Sequence, residues 1–271
     1  MPQHARRIGV LLAALVVAAA ASLAAVAAPA RHTAGTLTFC SDITYPPEEF
    51  YVGTKAAGSD IDIGTAIAKE LGKSATFTNT GFDGIIAALL AKKCDAIISG
   101  MNDTPQRRKA VAFVDYLSVG QSLMVKKGNP KHVKGLSSLS GKTVSVEVGT
   151  TNKDFLDAES KTLQKQGKAP IKVQAFPKDT DAAAALKTGR VDAYFGDSPV
   201  VAYYIQKDTS FAFAGAPINP IPVGIALRKS DTATKAAMTK AVAKLYANGT
   251  MKRILAKWHM SDFALKKYDT K

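Results

Sequence analysis

Cysteine, histidine and tryptophan are scarce in this chain of 271 residues, which holds two, four and one of them. His4, His32, His132 and His259 stand far apart with no second ligand at short spacing, which excludes a histidine-cysteine metal cluster. Acid is also in deficit, with 22 Asp and Glu against 36 Lys and Arg and a net charge of +14. Such a balance would suit nucleic acid, but the lysines are scattered through helical stretches and tails. No basic motif is interleaved with aromatics, so a nucleic-acid partner is excluded. The excess charge reads as a general surface effect that aids solubility and favours anionic membrane faces. Beyond residue 28 no apolar run is long enough to span a bilayer.

The start of the chain is different. Arg6 and Arg7 precede an uncharged apolar run over residues 8–28, the layout of a secretory leader. Ala25 and Ala27, or Ala28 and Ala30, supply the small residues of a cleavage site. A retained anchor is the alternative, because the run can span a membrane, but alanine dominates over leucine and isoleucine, which favours cleavage. The expected leader is 1–28, and its loss removes Arg6 and Arg7 to leave +12. No cysteine follows closely enough for lipid attachment. The roughly 240 residues that remain suit one two-lobed protein or two small domains.

Periodicity gives a strand in "LTFCS", then a helix in "IDIGTAIAKELG", where Ile63, Ile67 and Leu71 recur every four residues before Gly72. A strand "ATFTN", a helix "FDGIIAALLAKK" and a strand "DAIIS" follow. This β-α-β-α-β order predicts a parallel sheet covered by helices on both faces. After about residue 135 the pattern returns as "KTVSVEV", a helix over 151–165, "IKVQAF", "DTDAAAALKTG", "VDAYFGD" and "PVVAYYIQ". "SLMVKK" and "IPVGIALRK" read as extended crossings between the units. Two last helices, at 231–247 and 250–258, have no strand partner in the second unit; Asn248 and Gly249 close the first of them. The economical arrangement is a first lobe of 35–119 and 222–271, with 120–221 inserted as a second lobe and the two crossings as a hinge.

Two cysteines in an exported chain invite a disulfide. If "LTFCS" and "DAIIS" are parallel neighbours, Cys40 and Cys94 differ by about four positions, on the order of 13 Å of strand rise. A bridge needs alpha carbons within about 7 Å. Two unpaired cysteines are therefore expected.

Open parallel sheets bind ligands at the carboxyl ends of their strands. Ser41, Asp42 and Tyr45 follow the first strand here, and "SGMNDTPQRR" follows the third, with Thr104 placed to cap a helix that starts at Pro105 and carries Arg107. In the second unit "EVGTTNKDF" runs a strand into Gly149, Thr150, Thr151 and Asn152, and "YFGDSP" leaves Asp197 at a strand end. Free N–H groups at helix starts receive an anion. The planar fork of Arg107 grips a carboxylate with two bonds, and Asp197 suits an ammonium. A ligand with one carboxylate and one ammonium answers to all of these, which describes a free amino acid. Each residue also has a plainer reading: Arg107 as a solvated charge, Asp197, Thr150 and Thr151 as helix caps, and Tyr45 and Phe82 as core.

The stretches "SDITYPPEEF", "GSDIDIGTAIAKELG", "FDGIIAALLAKKCDAIISGMNDTPQRR", "LSGKTVSVEVGTTNKDF", "ALKTGRVDAYFGDSPVVAYY" and "GIALRK", in that order, resemble the periplasmic amino-acid-binding proteins of ABC importers, bacterial solute-binding protein family 3, over about residues 35–260. The resemblance implies a two-lobed type II binding-protein fold, each lobe a mainly parallel sheet flanked by helices, joined by a two-strand hinge. It implies that Arg107, with backbone groups near Asn102 and Thr151, holds the ligand's α-carboxylate, and that Asp197 and the carbonyl near Gly100 hold its ammonium, beside Ser99 and Thr150. Tyr45 and Phe82 would sandwich the aliphatic part, with Asp42, Glu147 and Asn152 nearer the side chain. Glu48 stands where the family commonly has an aromatic after the paired prolines. Ser59 replaces another aromatic, and position 100 is Gly where some relatives have Ser. If Asp42, Glu48 and Glu147 face the pocket, they favour a cationic side chain. The implied protein is a periplasmic monomer that delivers its amino acid to a membrane permease without metal or organic cofactor. An enzyme on the same scaffold, a cyclohexadienyl (prephenate or arogenate) dehydratase, is the alternative; it needs a general acid, for which Glu48 or Glu147 could serve.

Overall fold

A computed structural model describes residues 35–268; the leader expected at 1–28 lies outside the described residues. In the first unit β1 (Thr36–Ser41) lies between β4 (Ser74–Asn79) and β5 (Ala96–Ile97), parallel to both. The strand period of two sends successive side chains to opposite faces. Leu37 and Phe39 therefore join one core with Ile63 and Ile67 of α1 (Ser59–Glu70), while Cys40 points to the other face beside Ile85 and Leu89 of α2 (Ile85–Leu90). The helix expected from residue 82 opens as a 3-10 turn, Phe82–Gly84, and is α-helical only from Ile85. Glycine at position 84, which weakens a helix interior, falls at that junction.

The second unit repeats the plan. Here β7 (Thr143–Glu147) lies between β8 (Lys172–Phe176) and β9 (Ala193–Asp197), again parallel to both. Val144, Val146 and Phe195 pack on Leu156 and Leu163 of α3 (Thr151–Lys165). On the opposite face Tyr194 meets the alanines of α4 (Asp179–Lys187) and Val200 and Val201 of α5 (Ser198–Lys207).

Two long antiparallel strands, β6 (Val111–Lys126) and β10 (Phe211–Arg228), join the units into one eight-stranded sheet of order β4-β1-β5-β10-β6-β9-β7-β8. The two extended crossings lie inside these strands. Their pairing shifts register between Ala214 and Ile218, between Ile218 and Ile221, and between Val223 and Gly224, in the stretch where the chain passes from one core to the other. Such irregularities loosen a ladder and let it bend. The closing helices α6 (Thr232–Ala247) and α7 (Thr250–Lys257) return Met238, Leu245, Met251 and Leu255 to the first core. Gly249, at φ 72, separates them. A short hairpin, β2 (Phe50–Val52) with β3 (Lys55–Ala57), was not expected from the sequence.

The cysteines correct the sequence reading: Cys40 and Cys94 form a disulfide with alpha carbons 5.6 Å apart. Strand rise does not apply to Cys94, because β5 begins only at Ala96. The preceding chain turns under α2, with the Lys93 N–H bonded to the Ala88 carbonyl, and meets β1 from the side through Asp95 N–H to Thr38 O. That turn lays Cys94 against the face to which Cys40 points.

Candidate ligand site

The loop "TYPPEEF" folds back on itself and is pinned to a helix. Tyr45 and Glu49 exchange backbone hydrogen bonds of 2.8 and 3.0 Å around the cis Pro46-Pro47 bond. The carbonyls of Pro47 and Glu48 accept from the N–H groups of Ser59 and Asp60 in the first turn of α1. Gly58 permits this approach, since a Cβ there would stand 2.0 Å from the Glu48 oxygen. Held in this way, Tyr45 covers Gly100, where φ is 50 and an added Cβ would lie 3.2 Å from the ring, so a side chain there would be strained and crowded. The far end of Tyr45 reaches the second lobe, where its hydroxyl accepts from the Asp197 N–H at 3.3 Å.

Eight of the twelve residues expected at the site line one cavity between the lobes: Tyr45, Phe82, Gly100, Asn102, Glu147, Thr150, Asn152 and Asp197. The cavity is small, about 10 Å³ in volume, so its walls are nearly in contact. Thr150 caps α3, accepting from Lys153 N–H at 3.2 Å, so its plainer reading holds. Asp197 occupies the cap position of α5 but makes no side-chain cap bond; its carboxylate accepts from Asn152 Nδ2 at 3.1 Å instead.

The other four do not line the cavity. Asp42 is buried and accepts from the Phe82 N–H at 2.7 Å and the Thr44 hydroxyl at 2.7 Å, so it fixes the backbone at Phe82. The Ser99 hydroxyl donates to buried Glu49 at 2.7 Å and accepts from the Asp42 N–H. Arg107 lies in a 3-10 turn, Arg107–Lys109, whose length falls short of the expected helix, with its N–H on the Thr104 hydroxyl at 3.1 Å. Its guanidinium crosses the cleft, donating to Asn102 O at 2.8 Å and Gly149 O at 3.1 Å, 5.2 Å above the Phe82 ring. The Thr151 hydroxyl also crosses, to Asn102 Oδ1 at 2.6 Å. Arg108 is instead exposed and pairs with Asp103.

At Gly149 the second lobe presses on the first: a Cβ would lie 2.9 Å from the Asp83 alpha carbon, at a φ of 77 that already disfavours other residues. Gly149→Ala is expected to hold the lobes apart, lowering affinity for the parent's ligand at least tenfold in calorimetry while the far-ultraviolet circular dichroism stays that of the parent. Unchanged affinity contradicts this contact.

Burial and mutual repulsion set the electrostatics. Burial pushes Asp197 up to about 6, against hydrogen bonds from Asn152 and Tyr45 and the charge of Arg107. Burial raises Glu147 well above the carboxylate range, helped by Asp179, Asp42 and Asp197, and its Oε1 has no hydrogen-bond partner. Asn102 Nδ2 is likewise unpartnered. Burial also lowers the pKa of Arg107.

Three residues supporting the site were missed by sequence reasoning. Gln121 donates to Asn152 Oδ1 at 2.8 Å; its signal was a lone amide in an apolar strand. Asp60 accepts from the Gly100 N–H at 2.8 Å and the Tyr116 hydroxyl at 2.6 Å. Asp179 accepts from Tyr194 at 2.5 Å and Tyr204 at 2.8 Å. Burial pushes Asp60 to about 6 and Asp179 to about 7. These acids bind protons in the folded chain over a pH range where the unfolded chain, near 3.8, has lost them. Their contribution to stability is therefore fully present below about 3.8 and is lost as pH rises through 6 to 7. The unliganded protein should melt at a higher temperature at pH 5 than at pH 8 in scanning calorimetry; the reverse order contradicts the assignment. Among the described residues, no group of three His, Cys, Asp or Glu side chains is placed to hold a metal ion.

This lobed sheet with a polar cleft is that of a solute-binding protein, and the comparisons agree. The profile of bacterial extracellular solute-binding proteins, family 3, matches residues 37–261. The chain belongs to that family. It is 30% identical to the ABC transporter arginine-binding protein 1 of Escherichia coli (strain K12) over 82% of this chain and 90% of that protein. With the histidine-binding periplasmic protein of Salmonella typhimurium (strain LT2) it shares 30% identity over 90% of this chain and 94% of that one. Among solved structures, an ancestral arginine-binding protein bound to arginine superposes with a TM-score of 0.77 and 36% identity, over 84% of this chain and 99% of that one. The ancestral amino acid-binding protein AncCDT-1, a precursor of cyclohexadienyl dehydratase, gives 0.75 and 33%, over 83% and 96%.

Proposed function

We propose that this protein captures a free amino acid, with a cationic side chain favoured, by hinged closure of its two lobes and delivers it to an ABC permease. The lobes are 35–119 with 222–271, and 120–221, and the strand irregularities between them are the hinge. Arg107, with Asn102 Nδ2 and the Thr151 end of α3, takes the α-carboxylate. Asp197 takes the ammonium beside Gly100, and Tyr45 and Phe82 cover the aliphatic chain. Carboxylate docks first on Arg107, and closing then brings Asp197 to the ammonium, so binding energy selects the closed form. The protein works as an exported monomer, with 1–28 as its leader, and is a carrier with no catalytic role.

The observation that carries the cationic preference is the buried, unpartnered Glu147 Oε1 in a cavity wall flanked by further acids. A buried carboxylate without a donor is costly, and a guanidinium or side-chain ammonium supplies the donor. The arginine-binding relatives support the same class. Calorimetry with arginine, lysine, ornithine and glutamine tests it. Glu147→Gln should weaken arginine binding by about 10- to 100-fold, as expected for a lost charge-assisted bond, and leave glutamine binding within about threefold. Binding of glutamine alone by the parent overturns the preference. Release of an aromatic product from prephenate or arogenate would overturn the carrier assignment.

A further inference from the structure

We propose that an aromatic seam outside the ligand cavity, Phe50 on β2 against Tyr203 on α5, is a second lobe-to-lobe contact that helps determine how long a captured solute is retained. This rests on the clamp reading above. The two rings lie with centroids 5.6 Å apart at 52°. Neither residue lines the cavity. Each ring is fixed from its own side. Phe50 packs edge-on against Trp258 at 5.7 Å and 87°, and the Trp258 indole N–H donates to Asp62 of α1 at 2.7 Å, which ties that side to the first core. Tyr203 follows Val200 and Val201, both fully buried in the second unit's core. The seam thus bridges two separately packed bodies.

Both rings are half-buried. Lys207 lies 5.4 Å over the Tyr203 ring, and Lys257 lies 4.8 Å over Trp258 while pairing with Asp62 at 2.7 Å. The lysine heads flank the seam, and the ring-to-ring contact itself is apolar. Such a contact adds to closure without discriminating among ligands. An aromatic pair shifts an equilibrium by about 2- to 12-fold, and a solute that binds the closed form inherits that factor in its apparent affinity. The change falls mainly on dissociation, because the solute leaves only after the lobes part.

The test uses the full exported chain and arginine as the probe. Tyr203→Ala should weaken arginine binding by about 2- to 12-fold through faster release, and should enlarge the radius of gyration of the unliganded protein in small-angle scattering. Tyr203→Phe, which keeps the ring, should behave as the parent, and Phe50→Ala combined with Tyr203→Ala should weaken binding no more than the stronger single change. Parental release rate and parental radius in Tyr203→Ala overturn the proposal, as do effects of the two single changes that add in full. A parent that binds no amino acid overturns the function proposed above instead, and the scattering comparison then decides the seam by itself.

Discussion

Replacing Arg107 with alanine is expected to weaken amino-acid binding by roughly 30- to 4,000-fold, the range for truncating one partner of a buried charge pair. Two effects combine. On the proposed roles the planar fork is the bidentate partner of the ligand's carboxylate, and its loss leaves that anion near Asp197 and Glu147 with no guanidinium to offset them. The same side chain also braces closure, since its donors sit on carbonyls of both lobes, Asn102 O at 2.8 Å and Gly149 O at 3.1 Å. Lysine at this position keeps the charge but not the fork, so Arg107→Lys should recover only part of the loss. Asp197→Asn should produce a loss of similar size at the other end of the ligand, where a buried ammonium would face a neutral amide. Isothermal calorimetry measures both, with circular dichroism and the unliganded melting curve as checks on folding. Variants that fold and retain full affinity for every solute the parent recognises would end the clamp account.

The second large effect concerns stability. Removing the Cys40–Cys94 bridge, by the double change to alanine or serine, should cost about 4 kcal/mol, because the bridge closes a loop with a sequence separation of 54 and so restricts the unfolded chain. For a chain of this size that lowers the melting temperature by roughly 8–16 °C. Both cysteines are fully buried beside Ile85, Leu89 and Met101, so native-state reduction should be slow and partial unfolding should accelerate it. Cys40 also leads directly into Ser41, whose hydroxyl donates to the Ile98 carbonyl, and Asp42, which holds the Phe82 N–H. The bridgeless protein should therefore lose affinity as well as heat resistance. Scanning calorimetry with and without reductant measures the first; a shift below about 2 °C would mean that the unfolded chain is not restrained by this bond.

The alternation of strands and helices was legible because its two periods are clean: Ile63 and Ile67 recur on a helical face, and Phe39 and Cys40 part to opposite sides of a strand. Asp42, Thr150 and Asp197 could be picked out because parallel strands deliver the residues at their carboxyl ends to one edge, whereas Asn102 and Glu147 entered only through the resemblance to the family. Other features depend on contacts between distant segments. Glu49 and Asp60 matter to the site only because Gly58 lets the proline loop dock on the start of α1. The disulfide depended on a turn whose direction no spacing encodes. The β2 and β3 hairpin is short and largely exposed, so it carries no burial pattern for a reader to find. Departures from the family at Glu48 and Ser59 were visible, but not that both would be buried with unpartnered oxygens.

The chain's route between its two bodies has one more consequence. A Cβ added to Gly120 would sit 3.1 Å from the Ile218 oxygen, so on the proposed division the middle segment departs and returns at touching points. A transplant of everything between them, taken from a relative with equally close ends, would leave the host's first body with both its chain pieces in place. Glu147, Thr150, Asn152 and Asp197 would travel as a cassette, while Arg107, Tyr45 and Phe82 stayed behind. On the proposed roles the exchange would bring a new partner for the ligand's side chain at position 147, while Arg107 and the aromatic cover of the aliphatic chain stayed the host's.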